Sequence, residues 1–400
     1  MSSRAPRVGL FGLLGSGNIG NDASTEALMA YLRADHPGAE IDAMCMGWAQ
    51  MRERYGIEAI PFQWQQTHQR SGQSGAVLKA LGKVVDVVRT ASWVRRHDVI
   101  IIPGMGIMDA ALPINPWGVP YALYLLALAG VLFGTRVALV SVGASPARNR
   151  ATRWLYVNAA RMAAYRSFRD PASREALRSQ GLDTTGDGVY PDLVFSAPLS
   201  PPPAVDPDLV GIGVMTYGGN NEDRGAGRAE IYAAYTTAMT EFITWLLDNG
   251  RRVRVFVGDE VDQVTADKIV ADARRQRPEV DPARITGHPV RTATELLRVI
   301  EPAATVVATR FHNIVFSLML CKPTISIGYS PKNDSLMLDM ELGEYCQRAR
   351  AIDLELLKAQ FTKAESHRAE ITEDLRRLNA EQTRRAREQF AKLSRLLLAG

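Results

Sequence analysis

Short apolar runs alternate with helix-length amphipathic runs along most of this 400-residue chain. VGLFGL (8–13), IDAMCM (41–46), DVIIIPG (98–104) and RVALVSVG (136–143) read as strands. DASTEALMAYLRAD (22–35), AVLKALGKVVDVVRTASWVRR (76–96) and an apolar stretch over 118–133 read as helices between them, the first capped by Asp22 or Ser24. Strands that alternate with helices argue for a parallel, doubly wound sheet. The pattern stops at SAPLSPPPAVDPD (196–208), which holds five prolines. It resumes with VGIGVM (210–215), a helix through 231–247, RVRVFVG (252–258), helices over 261–277 and 292–300, and TVVA (305–308). The expectation is a domain over 1–196, a proline-rich linker over 197–208, a second α/β domain over 209–362, and a helical tail over 363–400.

Hydrophobic residues make up 46% of the chain and charged ones 22%, so each domain has material for a core. A net charge of +4 is too weak for a nucleic-acid binder and leaves room for anionic substrates or an anionic membrane surface. Cys45, Cys321 and Cys346 lie far apart with no metal-like spacing, so they read as reduced core residues of a cytoplasmic protein. The N-terminus lacks a long apolar run, so no signal peptide is expected. Ala110 to Thr135 carries no charge, but its continuous apolar part is shorter than the ~20 residues a span needs, and a buried helix is expected.

Open parallel sheets bind ligands beyond the carboxyl ends of their strands, so residues directly after strands are the candidates. The loop after the first strand spaces Gly15, Gly17 and Gly20 as G-x-G-x-x-G, with Asn18 inside it. Such a loop can be a tight turn with no ligand, a phosphate- or sugar-facing loop, or a dinucleotide fingerprint with Asp42 as its acid. Asp22 at the helix start would compete with a pyrophosphate. In IIPGMGIMDA, Gly104 and Gly106 follow a buried strand, and Asp109 is either an acceptor for a sugar hydroxyl or a helix cap. In SFRDPASREAL, Arg169 is a candidate anion contact, and Asp170 before Pro171 fits an N-cap; Asp192 in YPDLVF stands in a similar place.

The stretch ATRFHNIVFSLMLCKPTISIGYSPK sets Arg310 and His312 two residues apart, between a buried strand and an uncharged helix. Arginine can grip a carboxylate or phosphate with two hydrogen bonds, and histidine exchanges protons near neutral pH. A structural histidine bonded to a carbonyl is the plainer reading of His312. Lys332 follows the next strand, where neighbouring parallel strands would bring it to the same rim. Two cations and a histidine there suit a small dianionic or trianionic substrate. No H-E-x-x-H, G-x-S-x-G, G-K-S/T or EF-hand pattern is present. His36, His68, His97, His288 and His367 sit in polar surroundings and read mostly as solvated.

GSGNIGNDASTEAL, PGMGIMD, SVGASP, SFRDPASREAL, PDLVF and TRFHNIVFSLMLCKPTISIGYSPK, in this order, resemble the polysaccharide pyruvyl transferase family. The resemblance implies an α/β fold of two Rossmann-like domains facing a central cleft, GT-B-glycosyltransferase-like. It implies transfer of the enolpyruvyl unit of phosphoenolpyruvate onto a sugar hydroxyl pair, giving a pyruvate ketal, in exopolysaccharide, glycolipid or cell-envelope synthesis. His312 would be the general acid, Arg310 would hold the donor's anionic end, and Lys332 would bind the same donor. Phosphoenolpyruvate would be a co-substrate, with no cofactor and no metal, and the acceptor a saccharide or lipid-linked saccharide. Cytoplasmic placement, with room for peripheral contact at the inner face of the cell membrane through the 119–134 helix and the basic tail, follows the same reading. The family's acidic pair after the first loop is Asn21-Asp22 here, and its second glycine run is Gly104-Met105-Gly106, which puts the acceptor's identity in doubt. A nucleotide-sugar glycosyltransferase, with Glu341 gripping the donor ribose, is the main alternative. A non-catalytic carbohydrate-binding protein comes next, and an NAD-linked oxidoreductase is more distant.

Overall fold

A computed structural model describes residues 5–65, 76–110, 114–197, 204–219 and 227–395. The contacts divide the chain into two compact units. One comprises Met1–Ser16, Asn21–Ala197 and Arg384–Gly400; the other comprises Gly17–Gly20 and Pro198–Thr383. Two segments thus group away from their sequence neighbours, the short Gly17–Gly20 loop and the end of the C-terminal tail.

The first unit is built on a seven-stranded parallel sheet of order β3-β2-β1-β4-β5-β6-β7. Its strands are β1 (Arg7–Gly12), β2 (Glu40–Cys45), β3 (Glu58–Pro61), β4 (Val99–Pro103), β5 (Arg136–Val142), β6 (Tyr165–Phe168) and β7 (Gly188–Val189). β4 is buried along its whole length, which is why VIIIP is apolar without alternation. The helices are α1 (Ile19–Asp35), α2 (Trp48–Tyr55), α3 (Ala76–Val94), α4 (Val119–Phe133), α5 (Arg150–Met162) and α6 (Pro171–Arg178). Asp170 caps α6 by accepting the Ser173 N–H at 2.6 Å, with Pro171 in the first turn.

The second unit has a six-stranded parallel sheet of order β10-β9-β8-β11-β12-β13. Its strands are β8 (Asp206–Gly213), β9 (Arg252–Phe256), β10 (Ile285–His288), β11 (Ala303–Ala308), β12 (Thr324–Gly328) and β13 (Cys346–Arg348). Between and after them run α7 (Arg228–Asp248), α8 (Gln263–Gln276), α9 (Ala293–Ile300), α10 (Phe311–Met319), α11 (Pro331–Asp339), α12 (Leu354–Ser366) and α13 (Arg368–Leu393). Both strand orders reverse direction beside their first strand, at β1/β4 and at β8/β11, the switch points where α/β sheets place ligands.

Several expectations change. α1 begins at Ile19, so neither Asp22 nor Ser24 is its cap. β8 already starts at Asp206, inside the expected linker, of which residues 198–203 lie outside the described residues. The single tail helix is two helices broken at His367, where the chain turns and the His367 N–H bonds the Lys363 and Glu365 carbonyls. α4 is buried from Pro120 to Gly130, and no helix among the described residues is long and apolar enough to cross a membrane.

The three thiols are free. Cys45 is buried, and burial pushes its pKa up to about 12. Cys321 and Cys346 are only half-buried, short of the core placement expected, and burial raises both. His97 is not solvated: it is 7% exposed, bonds the Trp93 carbonyl at 2.9 Å through Nδ1 and faces Asp42 Oδ1 at 2.9 Å through Nε2. His36 contacts Ser394 Oγ at 2.7 Å and His288 contacts Thr286 Oγ1 at 2.9 Å, while His68 lies outside the described residues.

Candidate functional site

The sequence candidates fall into two groups, one in each unit. In the second unit, the fully buried β11 ends at Ala308, and the chain turns at Thr309 into α10 with Arg310 in the N-cap position. Arg310 donates Nε to Asp262 Oδ2 at 2.6 Å and Nη2 to Asp262 Oδ1 at 3.0 Å. Asp262 is fully buried and also accepts the Thr216 N–H at 2.8 Å. The third guanidinium nitrogen, Nη1, is 3.8 Å from Asp259 Oδ2. Burial works against the Arg310 charge, but the Asp262 hydrogen bonds and charge outweigh it and hold the guanidinium above its ordinary pKa. Burial raises the Asp259 pKa against the opposing pull of Arg310.

The Gly17–Gly20 loop belongs to this group. Asn18 Nδ2 donates to Asp259 Oδ2 at 3.0 Å, and the Ile19 N–H reaches the Gly258 carbonyl at 3.4 Å. Gly20 lies against the His312 ring so closely that a Cβ added to it would stand 1.8 Å from Nδ1. A side chain there and the imidazole in its present place are mutually exclusive. His312 sits in the first turn of α10, its ring edge-on to Phe311 at 5.2 Å between centroids. Lys332, in the first turn of α11, lies over the Tyr329 ring at 5.2 Å and the Phe311 ring at 5.7 Å. The second unit therefore gathers Gly17, Asn18, Arg310, His312 and Lys332 at the carboxyl ends of β9, β11 and β12. Its arrangement is a charge held rigidly by a buried acid, an imidazole held by a glycine, and an ammonium over two aromatic faces.

In the first unit, Gly104, Gly106, Asp109 and Arg169 meet beyond β4, β5 and β6. Arg169 is 8% exposed, with Nε 3.6 Å from Asp170 Oδ2 and Nη1 3.7 Å from Asp192 Oδ2. Asp192 Oδ1 also accepts the Ser24 hydroxyl at 3.0 Å. Gly104 has φ +44° and leaves room for Ser24, which a Cβ would approach to 2.9 Å. Gly106 lies beside Asp109, whose Oδ1 accepts the Ser145 hydroxyl at 2.7 Å.

Gly15 is elsewhere. Its N–H donates to Asp22 Oδ1 at 2.8 Å, and its backbone packs directly on Gly47. Its amide thus serves Asp22 and is not presented to a phosphate. Asp42 is likewise engaged, by Trp93 Nε1 at 2.9 Å as well as by His97. The dinucleotide reading loses both its loop and its acid. Among the described residues, no group of three or more His, Cys, Asp or Glu comes together that could hold a metal ion.

The sequence profile of the family described as polysaccharide pyruvyl transferase matches residues 18–331. The chain belongs to the polysaccharide pyruvyl transferase family. A search of curated proteins finds no match. Among solved structures the chain is similar to UDP-GlcNAc 2-epimerase of Neisseria meningitidis bound to UDP-GlcNAc, at 9% identity and TM-score 0.62, covering 98% of this chain and 100% of that one. It is similar to a glycosyltransferase of Rickettsia africae, at 10% identity and TM-score 0.59, covering 99% of each chain. It is also similar to MurG of Acinetobacter baumannii, at 12% identity and TM-score 0.57, covering 98% of this chain and 100% of that one. At these identities the likeness is one of fold, the GT-B architecture with its two parallel-sheet α/β units.

For a pyruvyl transferase of this family, the acids that set the charge of the second unit's cluster were the residues sequence reasoning passed over. Asp259 and Asp262 stand in GDEVD, directly after the apolar run that becomes β9. Two acids just past a buried strand were the available signal. Glu341, the candidate for a nucleotide-sugar donor's ribose, instead pairs with Arg377 at 2.9 Å on the surface.

Proposed function

We propose that the chain transfers the enolpyruvyl unit of phosphoenolpyruvate to two hydroxyls of a sugar, forming a pyruvate ketal and releasing phosphate. The observation that carries this reading is the cluster of Arg310, His312 and Lys332 at the ends of β11 and β12, in a chain of the pyruvyl transferase family. Phosphoenolpyruvate bears a carboxylate and a phosphate, and two fixed cations suit it. Its reaction needs a proton at the methylene carbon, and an imidazole is the group suited to deliver one near neutral pH.

In this reading His312 protonates the methylene carbon, which becomes the ketal methyl. The first sugar hydroxyl adds to the central carbon and loses its proton. The bond from that carbon to the phosphate oxygen then breaks, phosphate leaves, and the second hydroxyl adds in its place and loses its proton. Arg310 and Lys332 offset the anionic charge of the donor. The saccharide acceptor is assigned to the first unit's Asp109, Ser145 and Arg169 cluster, whose oxygens suit sugar hydroxyls.

Isothermal calorimetry with phosphoenolpyruvate on the wild type and on Lys332→Ala tests the donor, with UDP and GDP as controls. Saturable phosphoenolpyruvate binding that weakens about tenfold or more in the variant supports it. Binding of a nucleoside diphosphate in place of phosphoenolpyruvate would move the chain to nucleotide-sugar chemistry.

A further inference from the structure

α3 is inside out. It turns Asp86 and Thr90 inward, both buried, and Leu81, Val84, Val87 and Val88 outward. Val84 is 62% exposed and Val88 65%. Positions 81, 84 and 88 form one stripe along the helix, on the face that a water-exposed helix makes polar. The inward polar side is fully used: Asp86 accepts the Trp64 N–H at 2.6 Å and pairs with Lys83 at 3.6 Å and Arg89 at 3.9 Å. The outward apolar face is therefore not the product of a core requirement.

α4 packs beside α3, and α5 beside α4. α4 is buried as far as Gly130, yet its last residues Val131, Leu132 and Phe133 are exposed. Trp154 on α5 is exposed too, and so is Trp117 just ahead of α4. The charge is equally one-sided. Residues 76–165 hold ten Lys and Arg against three Asp and no Glu, although the whole chain nets only +4. Arg95 and Arg96 stand exposed at the end of α3, and Arg150 and Arg153 on α5.

We propose that this helix layer is a docking surface for an anionic lipid bilayer. The outward stripe of α3 enters the boundary between headgroups and acyl chains, the exposed tryptophans sit at headgroup level, and the arginines meet lipid phosphates. The contact is peripheral. A second copy of this chain is the poorer occupant, because an excess of seven positive charges would face the same excess. The inference stands on the first unit's surface alone and is independent of the donor chemistry.

The test is co-sedimentation of the full chain with phosphatidylcholine vesicles, with and without about one-third phosphatidylglycerol. The wild type is expected to pellet with the anionic vesicles at low salt and to be released as salt rises. Leu81→Ser/Val84→Ser/Val88→Ser and, separately, Arg95→Glu/Arg96→Glu should each lower the partition coefficient by roughly tenfold or more. Both variants alter solvent-facing side chains, so circular dichroism melting should match the wild type. A wild type that does not sediment, or variants that sediment equally, overturns the proposal. So does a wild-type dimer in analytical ultracentrifugation that the triple serine variant splits, since the face would then join copies of the chain.

Discussion

Arg310 and Asp262 meet as a two-pronged pair, Nε to Oδ2 at 2.6 Å and Nη2 to Oδ1 at 3.0 Å, with the carboxylate wholly buried. The residue whose sequence position suggests a substrate grip is thus first an internal structure, and whatever it contributes to an anion comes from a charge held still. Removing one member of a buried pair leaves the other uncompensated, at a cost of about 3–5 kcal/mol. Asp262→Ala should destabilise the fold by about that much in urea denaturation, more than Asp259→Ala does. Equal, small effects would show that the pair carries no such weight.

Gly20 and His312 supply a second test. Alanine is ordinarily better than glycine inside a helix by ~1 kcal/mol, and Gly20 lies within α1. Here a Cβ would fall 1.8 Å from the imidazole Nδ1, so the ring must leave its place. Gly20→Ala should lose ~1–3 kcal/mol of stability and weaken phosphoenolpyruvate binding about tenfold in calorimetry. A variant as stable and as tight as the wild type would mean that the ring's position is irrelevant to both.

These two contacts also show what the chain discloses by itself. The alternation of apolar and amphipathic runs located β1, β4, β5, β9 and β11 because fully buried parallel strands are continuously apolar. Asp170 was readable as a cap because its signal, Asp-Pro ahead of a helical run, is local. α2 and β3 passed unnoticed because WAQMRERY is one short, mostly polar helix and EAIP only four residues. The glycine loop misled for a different reason. G-x-G-x-x-G fixes where backbone can come close but not what comes close, which proved to be Gly47 for Gly15 and His312 for Gly20. The latter contact joins residues far apart in sequence, and no local pattern encodes it. Asp262 was missed likewise, since an acid after a strand acquires meaning only when Arg310 is set beside it.

Lys322 lies buried at the other end of the second sheet, its Nζ donating to the Glu301 carbonyl at 2.5 Å. Burial lowers its pKa to about 8 from an ordinary 10.5. A folded-state pKa below the unfolded one means that the unfolded chain binds more protons between those values, so stability rises with pH there. The burial cost of the charged amine is present in full below about pH 8 and is gone by about pH 10.5. Lys322→Met should therefore raise the denaturation midpoint more at pH 7 than at pH 10. An equal effect at the two pH values would show that the ammonium is not the source.

The end of α13 closes the first unit. Phe390 stacks on Tyr31 with centroids 4.2 Å apart and planes 5° from parallel, and the Tyr31 hydroxyl donates to the Phe390 carbonyl at 2.9 Å. One turn earlier, Gln389 is fully buried, accepting from Ser141 Oγ at 2.9 Å and donating to Ser167 Oγ at 2.6 Å. These contacts bind residues after Arg384 to the first sheet's own strands and α1, although they are the last in the sequence. Phe390→Ala removes a buried ring and should cost about 3–5 kcal/mol. Gln389→Ala strips two buried hydroxyls of a partner and should cost about 1–3 kcal/mol. If the tail were an appendage, both substitutions would leave the urea midpoint unchanged. If it is part of the first unit's core, the loss appears in unfolding of that unit while phosphoenolpyruvate binding, assigned to the second, is retained.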